Sequence, residues 1–335
     1  VPLRFWAPGS SCQPAVGATN ADLLQEGKER QSEMFRNIAT VGTTDLETHI
    51  IKGTYNDQTV PKQKHLKGFI DITDGDEHQS NAALATIRKR IEKARATKGN
   101  WPVVLKCLIF VHKGMQNRAD PEFQFIKSLA RAPIQFLNLE AYLDRATTTS
   151  WGFSLFCRQY ATYLSQKIFS FRELGRVYEI NGPDTKKTLK SLKPSSLVRV
   201  AGFLGQQLNK LSECKVFEEE GFHPLSVCVM IFLAKDAYTL GTAISLSIYS
   251  LMDHLVKLSK KSAKDFLKVV NDYVKALDTL EDLRSKLKST NRGDAAKLLP
   301  SKDDRKKKLN VAQQGPRMSR ESREREEVNP NYKHS

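Results

Sequence analysis

Four residues in the first quarter of the chain are of types that bind phosphate. Lys52 is followed, after nine other residues, by Lys62, and then by Lys64 and His65. Ammonium groups and an imidazole donate hydrogen bonds to phosphate oxygens. Pro61 suits the first turn of a helix, whose unpaired backbone N–H groups would face the same anion. The residue types and their spacing predict a site for a multivalent phosphate at an exposed corner.

Two helices must position these groups. Thr44 or Asp45 suits the N-cap of a helix that ends near Lys52, and Pro61 suits the start of a second helix that continues through Ile70. A turn between them would bring the three lysines and the imidazole together. The alternative interpretation is one more solvated basic face. Lysines at a helix start oppose the helix dipole, which favours the site because a bound anion would offset that cost.

Helical periodicity continues through most of the chain, and no convincing alternating strand is present. We predict an all-α fold with a disordered arm at 1–30, a helical domain at 31–290 and a charged, largely disordered tail at 291–335. Residues 71–80 are predicted to form an acidic loop, and Asn100 to cap the helix that follows it. Further helices are predicted at 81–96, 103–112, 122–130, 151–166, 197–211, 225–252 and 263–288.

Composition excludes several classes of protein. The 335 residues include 53 Lys and Arg against 37 Asp and Glu, a net charge of +16 that indicates an anionic partner without identifying it. With 40% hydrophobic and 27% charged residues, wholesale disorder is excluded. The longest apolar stretch, 225–234, is shorter than the ~20 residues of a membrane-spanning helix. Five scattered cysteines indicate a reducing compartment and neither a disulfide framework nor a zinc site.

No enzyme motif is present. The nucleotide-binding, metalloprotease and nucleophile-elbow patterns are all missing, and the seven histidines do not cluster. The densest set of oxygen ligands, residues 71–78, lacks the later glycine and the terminal glutamate of a calcium loop, and a solvated loop is expected there. We therefore predict no catalytic residue, no metal and no cofactor.

Lys52, Lys62, Lys64 and His65 match a family signature position for position. The chain resembles the ANTH domain of the CALM-type clathrin assembly adaptors, whose signature is Lys, nine residues, Lys, any residue, Lys or Arg, and His or Tyr. The likeness covers about 30–300. Other segments that agree in order and spacing are Trp101-Pro-Val-Val-Leu-Lys, Phe136-Leu-Asn-Leu, Arg158-Gln-Tyr160, Phe232-Leu-Ala-Lys235-Asp236-Ala and Asn291-Arg-Gly293-Asp294.

The resemblance implies both a fold and a function. The fold would be a right-handed superhelical stack of about ten or eleven helices. The four signature residues would bind phosphatidylinositol 4,5-bisphosphate on an exposed surface, where His65 would bind better when protonated. The protein would be a non-enzymatic adaptor in clathrin-mediated endocytosis, peripheral on the cytosolic face of the plasma membrane and on clathrin-coated pits or vesicles. Clathrin and an adaptor complex would be its protein partners.

Two further partner sites are weaker interpretations. Asp22, Leu23 and Leu24 resemble a short clathrin-binding element, although a chance tripeptide at the start of the first helix explains them as well. Some family members bind a SNARE helix. Phe266, Tyr273 and Leu277 would line such a groove here, but a stripe at this spacing is more often part of the core.

Nucleic acid is the alternative partner for the positive surplus. No helix carries a run of Arg and Lys on one face with aromatic residues between them, and no groove-reading motif is present. Nucleic acid is therefore not expected. The sequence leaves open the cargo, the preferred phosphoinositide isomer, and whether the protein bends a membrane or docks on it.

Overall fold

The computed structural model describes residues 30–31, 34, 37, 39–117, 123–179, 183–216, 222–255 and 258–299. Within 45–299 these residues form eleven α-helices and one 3-10 helix, and no strand occurs among them, so the all-α prediction is confirmed. The helices are α1 (Asp45–Gly53), α2 (Gln63–Thr73), α3 (Glu77–Arg95), α4 (Trp101–Met115), α5 (Gln124–Arg131), α6 (Thr148–Leu174), α7 (Pro183–Ser191), α8 (Pro194–Ser212), α9 (Pro224–Met252), α10 (Lys260–Ser289) and α11 (Gly293–Ala296), with the 3-10 helix at Ile134–Leu137 between α5 and α6.

The first three helices follow the sequence signals closely. Thr44 caps α1 through a capping box with Glu47, as expected from the sequence. The acidic loop predicted at 71–80 is wrong in extent, because α2 continues to Thr73 and α3 already begins at Glu77. Asp76 makes this short turn possible: its Oδ1 accepts a hydrogen bond of 2.9 Å from the backbone N–H of Gln79 and caps α3.

Helix α4 lies at the centre of the N-terminal half. Fourteen of its fifteen residues are buried, and it packs against α1, α2, α3, α5, α6 and α9. This burial on all sides explains why its sequence is apolar without a polar face. The helix runs from Trp101 to Met115, longer at both ends than the predicted 103–112.

The N-terminus of α4 is capped from a distant part of the chain. Asn100 occupies the N-cap position, but its side chain makes no capping hydrogen bond, contrary to the prediction. Asp144 supplies the acceptors instead, since its two oxygens accept from the N–H groups of Gly99 (2.9 Å) and Trp101 (3.0 Å). The backbone N–H of Asp144 in turn donates to Ser154 at 2.6 Å. Asp144 therefore joins the start of α4, through its carboxylate, to the second turn of α6, through its backbone N–H.

A buried polar network joins α4, α6 and α9. The imidazole of His112 bonds to the Tyr160 hydroxyl through Nδ1 (2.7 Å) and to Asp236 through Nε2 (2.8 Å). Lys167 also reaches the Asp236 carboxylate at 3.0 Å, and the Tyr163 hydroxyl donates to it. Burial alone would raise the pKa of Asp236, but the charge of Lys167 and the bond to His112 hold this pKa well below its usual range. The carboxylate is therefore ionised inside the core.

Helix α9 is the main core helix of the C-terminal half. By length and composition it could cross a membrane, although its longest uninterrupted apolar run, 225–234, is too short to indicate this. In this fold 56% of its most apolar window is buried, and the helix packs on α7, α8 and α10. Its apolar composition is therefore accounted for by the packing it makes.

The packed part of the fold extends past residue 290. The short helix α11 contacts α9 and α10. Ala296 and Leu299 are 1% and 3% exposed. Leu299 thus belongs to the core, whereas the sequence predicted a solvated tail from 291.

Candidate anion-binding site

Lys52 lies in the last turn of α1, where a positive charge interacts favourably with the helix dipole. Its side chain is partly exposed, and its Nζ donates a hydrogen bond of 2.8 Å to Oδ1 of Asn37. The ammonium group is therefore held at the C-terminal end of α1 by a neutral partner, and its charge is not neutralised by that contact.

Lys62 and Lys64 lie at the N-terminus of α2, as predicted. Lys62 is the N-cap residue, Lys64 is in the first turn, and both side chains are exposed. The first turn contains no acidic residue, and no side chain caps it. Within the part of the chain that the structure describes, neither lysine makes an ion pair, whereas the neighbouring Lys67 pairs with Asp71 at 2.5 Å. The helix start therefore presents uncompensated positive charge and unpaired backbone N–H groups.

The imidazole of His65 is placed differently from the sequence expectation. It is buried, with 8% of the residue exposed, and its Nδ1 lies 3.3 Å from Nδ1 of His49. Burial, followed by the electrostatic interactions with His49 and with the lysines Lys64, Lys52 and Lys62, lowers the pKa of His65 to about 4. At neutral pH the free protein therefore carries a buried, uncharged His65, whereas the sequence placed this residue on an exposed surface where it would bind better when protonated.

Two glycines bring α1 and α2 into close contact. A Cβ on Gly53 would lie 2.4 Å from a ring carbon of Phe110 and 3.3 Å from Cβ of His65. A Cβ on Gly68 would lie 2.3 Å from Nε2 of His49. Because larger residues would force the helices apart, these glycines hold the end of α1, and hence Lys52, against the start of α2.

Side chains from α3 and α4 fix the loop between α1 and α2 by hydrogen bonds. Nζ of Lys106, a residue only 2% exposed, donates to the carbonyl of Tyr55 (2.9 Å) and to Oδ1 of Asp57 (2.6 Å). Burial would raise the pKa of Asp57, but the hydrogen bonds from Lys106 and Thr59, together with the charge of Lys106, outweigh it and the pKa falls to about 2. Arg90 adds a bond of 2.7 Å to the carbonyl of Thr54. The loop that separates the two halves of the signature is thus fixed by the core.

The resulting corner combines three ammonium groups, a neutral imidazole and a helix N-terminus. The positive charges of Lys52, Lys62 and Lys64 all lower the pKa of His65, which indicates that the four groups are close together. A lysine near an anionic surface contributes about 1 kcal/mol, so several are needed for useful binding. The arrangement can bind a ligand that carries several phosphates and approaches from solvent.

The other sequence candidates stand apart from this corner. The tripeptide Asp22-Leu23-Leu24 lies outside the described residues. Phe266, Tyr273 and Leu277 are 5%, 8% and 7% exposed and belong to the core formed by α8, α9 and α10. These three side chains therefore support the packing interpretation and do not line an open groove in this structure.

The chain is similar to one protein family and to several known proteins. The ANTH domain family matches residues 45–291. Clathrin coat assembly protein AP180 of Homo sapiens is 25% identical over 67% of this chain, and the human phosphatidylinositol-binding clathrin assembly protein is 23% identical over 70%. A probable clathrin assembly protein of Arabidopsis thaliana is 31% identical over 42% of the chain. The matched segments cover only 24%, 34% and 22% of these relatives, so most of each relative has no counterpart in the match.

Proposed function

The chain belongs to the ANTH domain family, and from this we propose that it is a phosphoinositide-binding clathrin adaptor. It would bind phosphatidylinositol 4,5-bisphosphate through Lys52, Lys62, Lys64 and His65 and recruit coat components to the cytosolic membrane face during clathrin-mediated endocytosis. The single observation that carries the proposal is the corner of α1 and α2, where three lysines and a histidine meet at an uncapped helix start.

The exposure of the corner favours a membrane lipid over a small soluble ligand. Lys62 and Lys64 are exposed to solvent. An exposed basic corner gains most from an anion presented on an extended negative surface, because neighbouring lipids add to the attraction. The neutral imidazole of His65 adds a hydrogen bond whose strength depends on the position of a phosphate oxygen.

The protein partners rest on the relatives. Clathrin is named in the descriptions of all three of them. We propose clathrin as a partner of this chain too, with coated pits and vesicles as its location, and with Asp22, Leu23 and Leu24 as a candidate contact. An adaptor complex and a SNARE helix are further proposals that rest on the family resemblance alone. The role is one of binding, and we propose no catalysis.

Vesicle co-sedimentation at near-physiological salt tests the lipid site. One set of vesicles contains phosphatidylinositol 4,5-bisphosphate, and the other carries equal charge as phosphatidylserine. The wild type is compared with Lys62→Glu/Lys64→Glu and with a matched control, Lys187→Glu/Lys190→Glu, which changes charge equally on exposed positions of α7. We expect selective pelleting that is lost only in the first variant.

Two outcomes would contradict the proposal. Equal pelleting on both vesicle types, with equal losses in both variants, would show that the net charge of +16 acts diffusely. Displacement of the protein from the vesicles by a short DNA duplex of matched charge would favour nucleic acid. Clathrin recruitment is tested separately, by adding clathrin to protein-coated vesicles and measuring its sedimentation.

A further inference from the structure

A second histidine lies directly against the candidate site. His49 is on α1, three residues before Lys52, and is not part of the family signature. Its Nδ1 is 3.3 Å from Nδ1 of His65, with the two rings tilted by 60°. The ring of His49 occupies the space that the missing side chain of Gly68 leaves open on α2. The contact between the imidazoles is therefore part of the close packing of α1 on α2.

The contact determines where His65 carries its hydrogen. In a hydrogen bond between two neutral imidazoles, one of the two Nδ1 atoms carries the hydrogen and the other accepts it. If His65 donates, its Nε2 is a bare acceptor. If His49 donates, the hydrogen of His65 lies on Nε2. That Nε2 makes no hydrogen bond within the described part of the chain, so it is the ring nitrogen left for a ligand.

Only one of these arrangements suits an anion. The charges of Lys52, Lys62 and Lys64 act on His65, and the same charges would attract phosphate to it. A bare Nε2 repels a phosphate oxygen, whereas an Nε2–H donates a hydrogen bond to it. Because the low pKa keeps His65 neutral at physiological pH, the ring has a single hydrogen, and its position decides whether the residue helps or opposes binding.

We propose that His49 is a positioning residue of this site: its Nδ1–H donates to Nδ1 of His65 and thereby keeps the hydrogen of His65 on Nε2, available to a phosphate oxygen. The inference deepens the proposed function and rests on it. His49 would not contact the ligand itself, and it would affect binding only through its hydrogen bond to His65.

The tautomers are directly measurable. Long-range ¹H–¹⁵N correlation spectra of the histidine rings distinguish a protonated from an unprotonated ring nitrogen. At pH 7 we expect His49 to carry its hydrogen on Nδ1 and His65 on Nε2, in the free protein and with the soluble inositol bisphosphate headgroup added. A hydrogen on Nδ1 of His65 with the headgroup bound would overturn the proposal. This readout does not depend on vesicle binding.

Headgroup affinity provides the second readout. His49→Leu removes the hydrogen bond, whereas the amide of His49→Asn lies near the former Nδ1 position and can still donate. We expect the Leu variant to bind the headgroup about threefold to tenfold more weakly and the Asn variant to recover most of the loss. In a His65→Leu background, His49→Leu should cost nothing further.

The outcomes separate the two proposals. If His49→Leu lowers headgroup affinity equally with and without His65, then His49 acts through the fold alone. If His49→Leu does not lower headgroup affinity at all, its role as a positioning residue is refuted. Failure of the wild type to bind bisphosphate vesicles or headgroup would refute the proposed function itself, whatever the tautomers are. Thermal unfolding of each variant identifies any that loses binding because it is destabilised.

Discussion

Reversing the charge of Lys62 and Lys64 should affect binding and stability in opposite directions. Each lysine contributes about 1 kcal/mol near an anionic surface, so a Lys62→Gln/Lys64→Gln variant should lose about 2 kcal/mol, roughly a 30-fold loss of affinity. Glutamates replace attraction by repulsion of similar size. The Glu pair should therefore lose about 4 kcal/mol, roughly a thousandfold.

The same Glu pair should leave the fold intact or make it slightly more stable. Helix α2 has no side-chain cap and no acidic residue in its first turn, and Lys62 and Lys64 are exposed. A negative charge near a helix N-terminus stabilises by about 0.3–1 kcal/mol, while a positive charge destabilises. For a domain of this size, a net gain of about 1 kcal/mol raises Tm by about 2–4 °C.

Two measurements on the same samples test this reasoning. Vesicle titrations give the affinities of the wild type, the Gln pair and the Glu pair, and differential scanning fluorimetry gives their Tm values. The Lys187→Glu/Lys190→Glu control should bind within a few-fold of the wild type. If the Glu pair unfolds at a clearly lower temperature, the two lysines are structural. If the Gln pair binds as well as the wild type, the corner is not the lipid site.

Three further predictions concern stability and pH. Asp236→Ala should destabilise the fold by about 3–5 kcal/mol in chemical denaturation, because it leaves the buried His112 and Tyr163 without their shared acceptor and Lys167 with Glu179 as its remaining carboxylate partner. An effect below about 1 kcal/mol would show that the network contributes little. Asp144→Ala should cost about 2 kcal/mol and speed hydrogen exchange at the amides of Gly99 and Trp101, whereas Asn100→Ala should change neither. The pKa of His65 is lowered from 6.5 to about 4, so the unfolded state binds a proton at this residue more readily than the folded state does, and Tm should fall as the pH drops from 6.5 towards 4. The fall in Tm should be smaller for His65→Leu, and added headgroup should reduce it in the wild type.

The parts of the site that depend on neighbouring residues could be predicted from the sequence. Thr44 caps α1 as predicted, whereas Pro61 lies just before the N-cap residue of α2 and not in its first turn, and the spacing of Lys52 and Lys62 then places the charges at one corner. Helical periodicity likewise identified most helices, because the apolar face repeats every three or four residues. Their ends were less accurate, as for α3, whose cap at Asp76 lies inside the predicted acidic loop.

Features that depend on contacts between distant residues could not be predicted in this way. Asp144 caps α4 from 43 residues away in sequence, and local reasoning assigned that role to Asn100, the residue next to the helix. The burial of His65 also depends on packing against α1. Gly68 gave a signal that could have been used, because a glycine inside a helix costs about 1 kcal/mol and often marks a close approach of another group.

The network around Asp236 has a consequence for how the protein folds during its synthesis on the ribosome. His112 and Lys167 emerge early in synthesis, but the carboxylate that they share emerges 124 and 69 residues later, respectively. Until then, Lys167 can already pair with Glu179, but closing α4 on α6 would bury His112 and Tyr163 without the carboxylate that accepts from them, which is costly. The N-terminal half should therefore stay loosely packed on the nascent chain and reach its final packing only after α9 has been translated.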